Sequence, residues 1–190
     1  MHILGISGSL RTGSYNTKAL KAAQSLVPAG VELDIYTLHD IPLYNADVEK
    51  EGIPASVAAF REAVVAADAV LICAPEYNYS ISGVLKNALD WLSRSGGKPL
   101  EGKAVAIMGA SPGRLGTVRA QYHLRQVLVD FEACVLNKPE VMIAKAHAAF
   151  DEIGSFADER TADIVQRQLQ ALVDFAGLLE RGKATASASV

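Results

Sequence analysis

An α/β fold on a three-layer, doubly wound parallel sheet is predicted for this chain of 190 residues. Three observations predict it. Short β-branched apolar runs alternate with segments of helical periodicity, which is the order of βα units. Residues 69–74 and 104–109 are apolar almost without a break, as strands covered on both faces are. Residues 31–38 instead alternate apolar with polar (Val31, Leu33, Ile35, then Thr37) and suit an edge strand with one wet face.

In chain order, residues 2–6 form the first strand. Residues 16–27 form the first helix, because Ala19, Leu20, Ala23, Leu26 and Val27 fall on one stripe. Pro28-Ala29-Gly30 ends it, and the edge strand follows. Residues 39–52 make a long polar connection containing Ile41-Pro42-Leu43-Tyr44. Pro54 opens a helix to residue 67, since a missing N–H is no loss in a first turn. The third strand is 69–74, the next helix 82–93, the fourth strand 104–109. A helix over 116–131 and a short fifth strand at 140–143 follow. The terminal helix, 158–179, carries Ile164, Leu169, Leu172, Val173 and Leu178 on its apolar side. Residues 183–190 are small and polar, so a single domain over 1–182 with a disordered tail is expected. The five parallel strands take the order 2-1-3-4-5. That order puts a ligand crevice at the carboxyl ends of strands one, three and four.

Composition bounds the function. Half the residues are hydrophobic and 21% are charged, with a formal net charge of −3. Neither a basic footprint for nucleic acid nor a basic helix for a membrane surface is present. No apolar run approaches the ~18 residues of a membrane span, and no signal-like segment opens the chain, so a cytoplasmic protein is expected. Cys73 and Cys134 sit in apolar surroundings and read as reduced, buried thiols. The four histidines have no partners at ligand spacing, so no metal site is expected.

Three loops follow the strands that border the crevice. The first, Ser7-Gly-Ser-Leu-Arg-Thr-Gly-Ser-Tyr-Asn16, lies between strand and helix and is dense in glycine and hydroxyls. Gly8 and Gly13 have the outer spacing of a Walker loop, but Ser14-Tyr15 stands where Lys-Ser/Thr belongs. Gly5 and Gly8 do not make GxGxxG. A terminal phosphate gripped by Ser9, Arg11, Ser14, Thr17 and the Asn16 amide fits better, and FMN is the natural candidate. Helix capping alone explains one such residue, not the dense run. The second loop is Pro75-Glu-Tyr-Asn-Tyr-Ser-Ile-Ser-Gly83. Pro75 turns the chain out of the sheet, Tyr77 offers a face to a flat ring, and Asn78 can bond a heterocycle edge. The alternative is a rim of tyrosines with Glu76 a solvated charge. The third loop, Ala110-Ser-Pro-Gly-Arg-Leu-Gly116, can aim backbone amides at the pyrimidine side of a flavin. A plain connector is its alternative.

Gly8-Ser-Leu-Arg11 with Ser14 and Asn16, then Pro75-Glu-Tyr-Asn78, then Leu85-Lys-Asn-Ala-Leu-Asp-Trp-Leu92 closely resemble the NADPH-dependent FMN reductase family. The resemblance runs from Ile3 through Asn137-Lys-Pro-Glu140. It implies a flavodoxin-like fold, FMN as cofactor, NADPH or NADH as co-substrate, and a homodimer or homotetramer. It implies phosphate binding by Ser9, Arg11, Ser14 and Asn16, with Tyr15 among them. It implies ring contact by Pro75, Glu76, Tyr77 and Asn78, with Tyr77 and Asn78 nearest the chemistry, and pyrimidine contact by Ser111 and Gly113. The Trp91 helix and the Gln121-Tyr-His-Leu-Arg-Gln126 helix resemble oligomer contacts. The implied activity is ping-pong transfer from NAD(P)H through FMN to a small-molecule acceptor such as a quinone, azo compound, chromate or free flavin. The rival is a flavodoxin-type electron carrier without turnover of its own, which a mild charge of −3 does not favour.

Overall fold

A computed structural model describes residues 1–94 and 96–187. In chain order the elements are β1 His2–Ser7, α1 Tyr15–Gln24, β2 Glu32–Thr37, α2 Ala46–Glu51, α3 Ala55–Ala66 and β3 Ala69–Cys73. Then come β4 Glu76–Tyr77, β5 Ser80–Ile81, α4 Gly83–Arg94, β6 Ala104–Ala110, α5 Val118–Asp130, β7 Cys134–Val135, β8 Val141–Ile143 and α6 Glu159–Ser187.

The main sheet is parallel and doubly wound, in the order β2-β1-β3-β6-β7, with β8 also on β6. Strand alternation divides its side chains between two cores. Leu4, Ile6, Val70, Ile72, Val105 and Ile107 face α3, α4 and α5 through Phe60, Val64, Leu85, Leu89, Leu124 and Leu128. Ile3, Leu71, Cys73, Ala106 and Met108 face α1 and α6 through Ala19, Leu20, Val165, Leu169 and Leu172. This is the three-layer sheet expected from the sequence. Each fully buried Leu or Ile contributes on the order of 1.5–3 kcal/mol.

Four details depart from expectation. The fifth strand position is shared: β7 pairs with Ala104 and Val105, and β8 pairs with Met108 to Ala110. The chain leaves the sheet between them at Pro139, which has no N–H to give. The Gln168 amide fills the gap, donating to the Ile107 carbonyl and the Pro139 carbonyl at 3.0 Å each. Second, the polar connection 39–52 contains α2, capped by the Asn45 side chain, which accepts from Asp47 N–H. None of its residues is buried, so it shows no apolar stripe in the sequence. Third, β4 and β5 form a hairpin inside the second loop. Fourth, α6 continues through Ser187, into the segment expected as a disordered tail; residues 188–190 lie outside the described residues. No helix among the described residues is long and apolar enough to cross a membrane.

Candidate functional site

The first loop leaves β1 at Ser7 and enters α1 at Tyr15. Gly8 is pinned on both sides: its N–H donates to the Cys73 carbonyl at 3.0 Å, and its carbonyl accepts from the Ser82 hydroxyl at 2.6 Å. A Cβ there would meet Pro75 Cδ at 2.8 Å, so only glycine lets the first loop lie against the second. Ser14 caps α1, its hydroxyl oxygen accepting from Thr17 N–H at 3.3 Å. The Ser9 oxygen accepts from Arg11 N–H at 3.4 Å. Both hydroxyl hydrogens stay available, on serines that are almost wholly buried. The N–H groups of the first helical turn lack intrahelical partners. The Arg11 guanidinium lies 5.6 Å from the centroid of the Tyr15 ring and has no acidic partner among the described residues. Together these groups form a concave set of donors with a net positive field.

Two residues expected to serve the anion are otherwise engaged. Asn16 is buried, and its amide clips α1 to the end of β6: Nδ2 donates to the Ala110 carbonyl at 3.0 Å, and Oδ1 accepts from Ala110 N–H at 2.9 Å. The Cys73 thiol donates to the same Oδ1 at 3.4 Å. Asn16 therefore lines the site with its Oδ1 and one Nδ2 hydrogen committed to Ala110. Thr17 pairs its hydroxyl with Ser7 at 2.8 Å. Complete burial pushes the Cys73 thiol well above its ordinary value, which leaves it protonated and unreactive. Cys134 is a free thiol that is only half-buried, which corrects the expectation that both are buried.

In the second loop Pro75 is buried, and Tyr77 is half-exposed on β4. Glu76 is not a solvated charge. Its carboxylate accepts from Arg119 N–H at 3.1 Å and Ala120 N–H at 3.3 Å, capping α5, and from Arg119 Nε at 2.6 Å. Only 9% of its side-chain surface is exposed. The Arg119 guanidinium lies 3.7 Å from the centroid of the Tyr79 ring, so one ion pair braces both hairpin and helix. Asn78 and Tyr79 form the two-residue hairpin turn, with φ of 49° and 69°. Left-handed backbone at both positions is the primed turn that favours Asn in the first, which accounts for Asn78 without a ligand.

The third loop is tied to the end of β8. Ser111 N–H donates to the Ile143 carbonyl, and Lys145 N–H to the Gly113 carbonyl, each at 3.0 Å. Gly113 N–H donates to Ser111 Oγ at 3.1 Å. The amides of Ser111 and Gly113 are therefore taken, and of these two residues the Ser111 hydroxyl hydrogen is the donor left over.

The three loops converge on a cleft of about 480 Å³ lined by Ser9, Arg11, Ser14, Tyr15, Asn16, Pro75, Glu76, Tyr77, Ala110, Ser111 and Pro112. Of the expected site residues, Gly113 borders an adjoining cleft and Asn78 stands at the hairpin tip, in neither lining. Arg119 was missed by sequence reasoning, and its place in the first turn after the third loop was the available signal. A separate hollow of about 380 Å³ lies at the opposite end of the sheet, around Lys103. There the Lys103 ammonium donates to the carbonyls of Ala67 and Val65 at the end of α3, a structural task. No group of acidic, histidine or cysteine side chains among the described residues is arranged to hold a metal ion. Trp91 is fully buried under its own chain, its indole N–H donating to the Pro42 carbonyl at 2.9 Å.

Residues 1–148 match the family described as NADPH-dependent FMN reductase. The chain is 56% identical over 170 residues to an NAD(P)H-dependent FMN reductase of Pseudomonas aeruginosa, covering 90% of this chain and 92% of that protein. It is 44% identical over 178 residues to a quinone reductase of Escherichia coli, covering 92% and 95%. Among solved structures it is similar to FerB, a flavoenzyme NAD(P)H:(acceptor) oxidoreductase from Paracoccus denitrificans. The TM-score is 0.84 at 36% identity, covering 93% and 97% of the two chains.

Proposed function

The chain belongs to the NADPH-dependent FMN reductase family, and on that premise we propose that it holds FMN in the Arg11–Tyr77 cleft and reduces quinones at the expense of NAD(P)H. The observation that carries this is Arg11. Its guanidinium is without an acidic partner among the described residues, beside the Ser9 and Ser14 hydroxyls and the start of α1. A phosphate monoester dianion is the group that such a donor set fits. No carboxylate stands in the loop from Ser7 to Asn16 to oppose it. A flat ring reaching from there to Pro75 and Tyr77 suits the remaining cleft.

Bound FMN supplies the two-electron chemistry, and the protein supplies position and electrostatics. Arg11, Ser9 and Ser14 anchor the phosphate. Pro75 and Tyr77 bear on the ring, and the Ser111 hydroxyl donates at its pyrimidine side. Glu76 acts one step removed, fixing hairpin and helix. Asn16 locks the first loop to the third through Ala110. No residue of the cleft needs to be a strong acid or base, and Cys73 is held protonated.

Reductant and acceptor would take turns at the Tyr77 end of the cleft, a ping-pong cycle. Azo compounds, chromate and free flavin are further acceptors on this reading. The protein works in the cytoplasm as a homodimer or homotetramer, a reading supported by its two free thiols and by the exposed Tyr122 and Val129 of α5. The deciding test is steady-state oxidation of NAD(P)H with a benzoquinone and no partner protein. Parallel double-reciprocal lines are expected. FMN-loaded protein that turns nothing over would instead be an electron carrier. Protein that retains no absorbance near ~450 nm after incubation with FMN and removal of the free flavin would not be a flavoprotein.

A further inference from the structure

We infer that Arg114 holds a phosphate of the incoming nicotinamide dinucleotide, in a second cleft that opens beside the flavin cleft. The inference rests on the FMN and NAD(P)H reading above. The second cleft, of about 520 Å³, is formed by the third loop from Gly113 to Thr117 with Glu76, Ser111 and Arg119. Glu76 and Ser111 border both clefts. A reductant whose reacting ring lies at Tyr77 can therefore extend the rest of its length into the cleft beside Arg114.

Two guanidiniums line this second cleft, in different electrostatic states. Arg119 is paired with Glu76 and stacked on Tyr79. Glu76 is the one acid of the lining, and it is cancelled by Arg119 and by two helix N–H groups, so it does not repel an anion. Arg114 is exposed and has no acidic partner among the described residues. The net charge of the lining is thus positive, and Arg114 is its source. The loop that carries Arg114 is fixed on both sides. Gly113 is held by Lys145, and a Cβ on Gly116 would meet the Met142 backbone at 2.5 Å. A fixed loop brings the guanidinium to a phosphate at lower entropic cost than a free one would.

The flavin's own phosphate is already provided for at Arg11, in the first loop. A neutral quinone has no use for a cation. The ligand that needs one here is the dinucleotide, through its pyrophosphate or a 2′-phosphate, which share the same chemistry.

The test is the KM for NADPH and for NADH, measured on FMN-loaded protein at saturating benzoquinone. Wild type, Arg114→Gln and Arg114→Lys are compared. Arg114→Gln is expected to raise KM about tenfold through loss of one charge-assisted contact. kcat and the FMN titration should hold, and Arg114→Lys should recover part of the loss. KM should rise with ionic strength more steeply in wild type than in Arg114→Gln. A rise for NADPH alone puts the 2′-phosphate at Arg114, and an equal rise for both reductants puts the pyrophosphate there. Unchanged KM for both overturns the inference and leaves the reductase reading standing. Wild type that binds FMN but oxidises neither reductant defeats that reading, and the inference with it, before any variant is compared.

Discussion

Arg11→Ala is expected to weaken FMN binding by about 1.5–3 kcal/mol, the range for a hydrogen bond to a charged group, or roughly 10- to 150-fold. A fluorescence titration that does not move would remove Arg11 from the site. Asn78 tests the opposite case. Its sequence context suits a ring-edge contact, whereas its φ of 49° suits a turn. Asn78→Gly should therefore keep both FMN binding and the rate of flavin reduction, and Asn78→Ala should lose about 1 kcal/mol of stability from the left-handed backbone. Slowed reduction in Asn78→Gly, seen by stopped flow, would return the side chain to the active site. The same contrast separates Arg11 from Asn16. Both are polar and both line the cleft, but the Asn16 amide is tied to Ala110, whereas Arg11 has no acidic partner among the described residues.

At the scale of elements, the Glu76 carboxylate joins the β4–β5 hairpin to the first turn of α5. Glu76→Gln removes the ion pair and weakens the cap, and about 1–2 kcal/mol of stability is expected to go, the partly exposed arginine limiting the loss. FMN affinity should change by less than about twofold, because on this account Glu76 shapes the cleft and does not bind in it. Urea unfolding and an FMN titration on the same variant check both halves. A large loss of flavin with unchanged unfolding would make Glu76 a ligand after all. The interrupted fifth strand obeys a similar logic. Pro139 cannot continue a ladder, so the Ile107 carbonyl takes its donor from Gln168 on α6.

For the molecule as a whole, pH acts through burial. Cys73 lies in the middle of the sheet, where loss of hydration raises its pKa above the ordinary 9.0. Below that value folded and unfolded thiols are both protonated and stability is unaffected. Above it the unfolded thiol ionises and the folded one does not, so stability falls by up to about 1.4 kcal/mol per pH unit. Cys73→Ala lacks this component. The stability gap between wild type and variant is expected to narrow between about pH 8 and about pH 10, and a gap independent of pH would mean that the thiol ionises in place.

Periodicity in the sequence determined the layers: continuous apolar runs became β3 and β6, the alternating run became the edge strand β2, and one-sided stripes became α1 and α6. It also brought three unusual loops to one crevice, since strand order places them at neighbouring strand ends. Sequence could not show which polar groups were already committed. Asn16 finds its partner 94 residues away at Ala110, and Glu76 finds Arg119 across 43 residues. The hairpin was hidden for a different reason, since two strands of two residues are too short to show a period. Propensity and apolar spacing act within a few residues and can be read along the chain. A hydrogen bond's second partner is chosen only when distant segments meet, so the division of the loops into anchors and braces belonged to the tertiary structure alone.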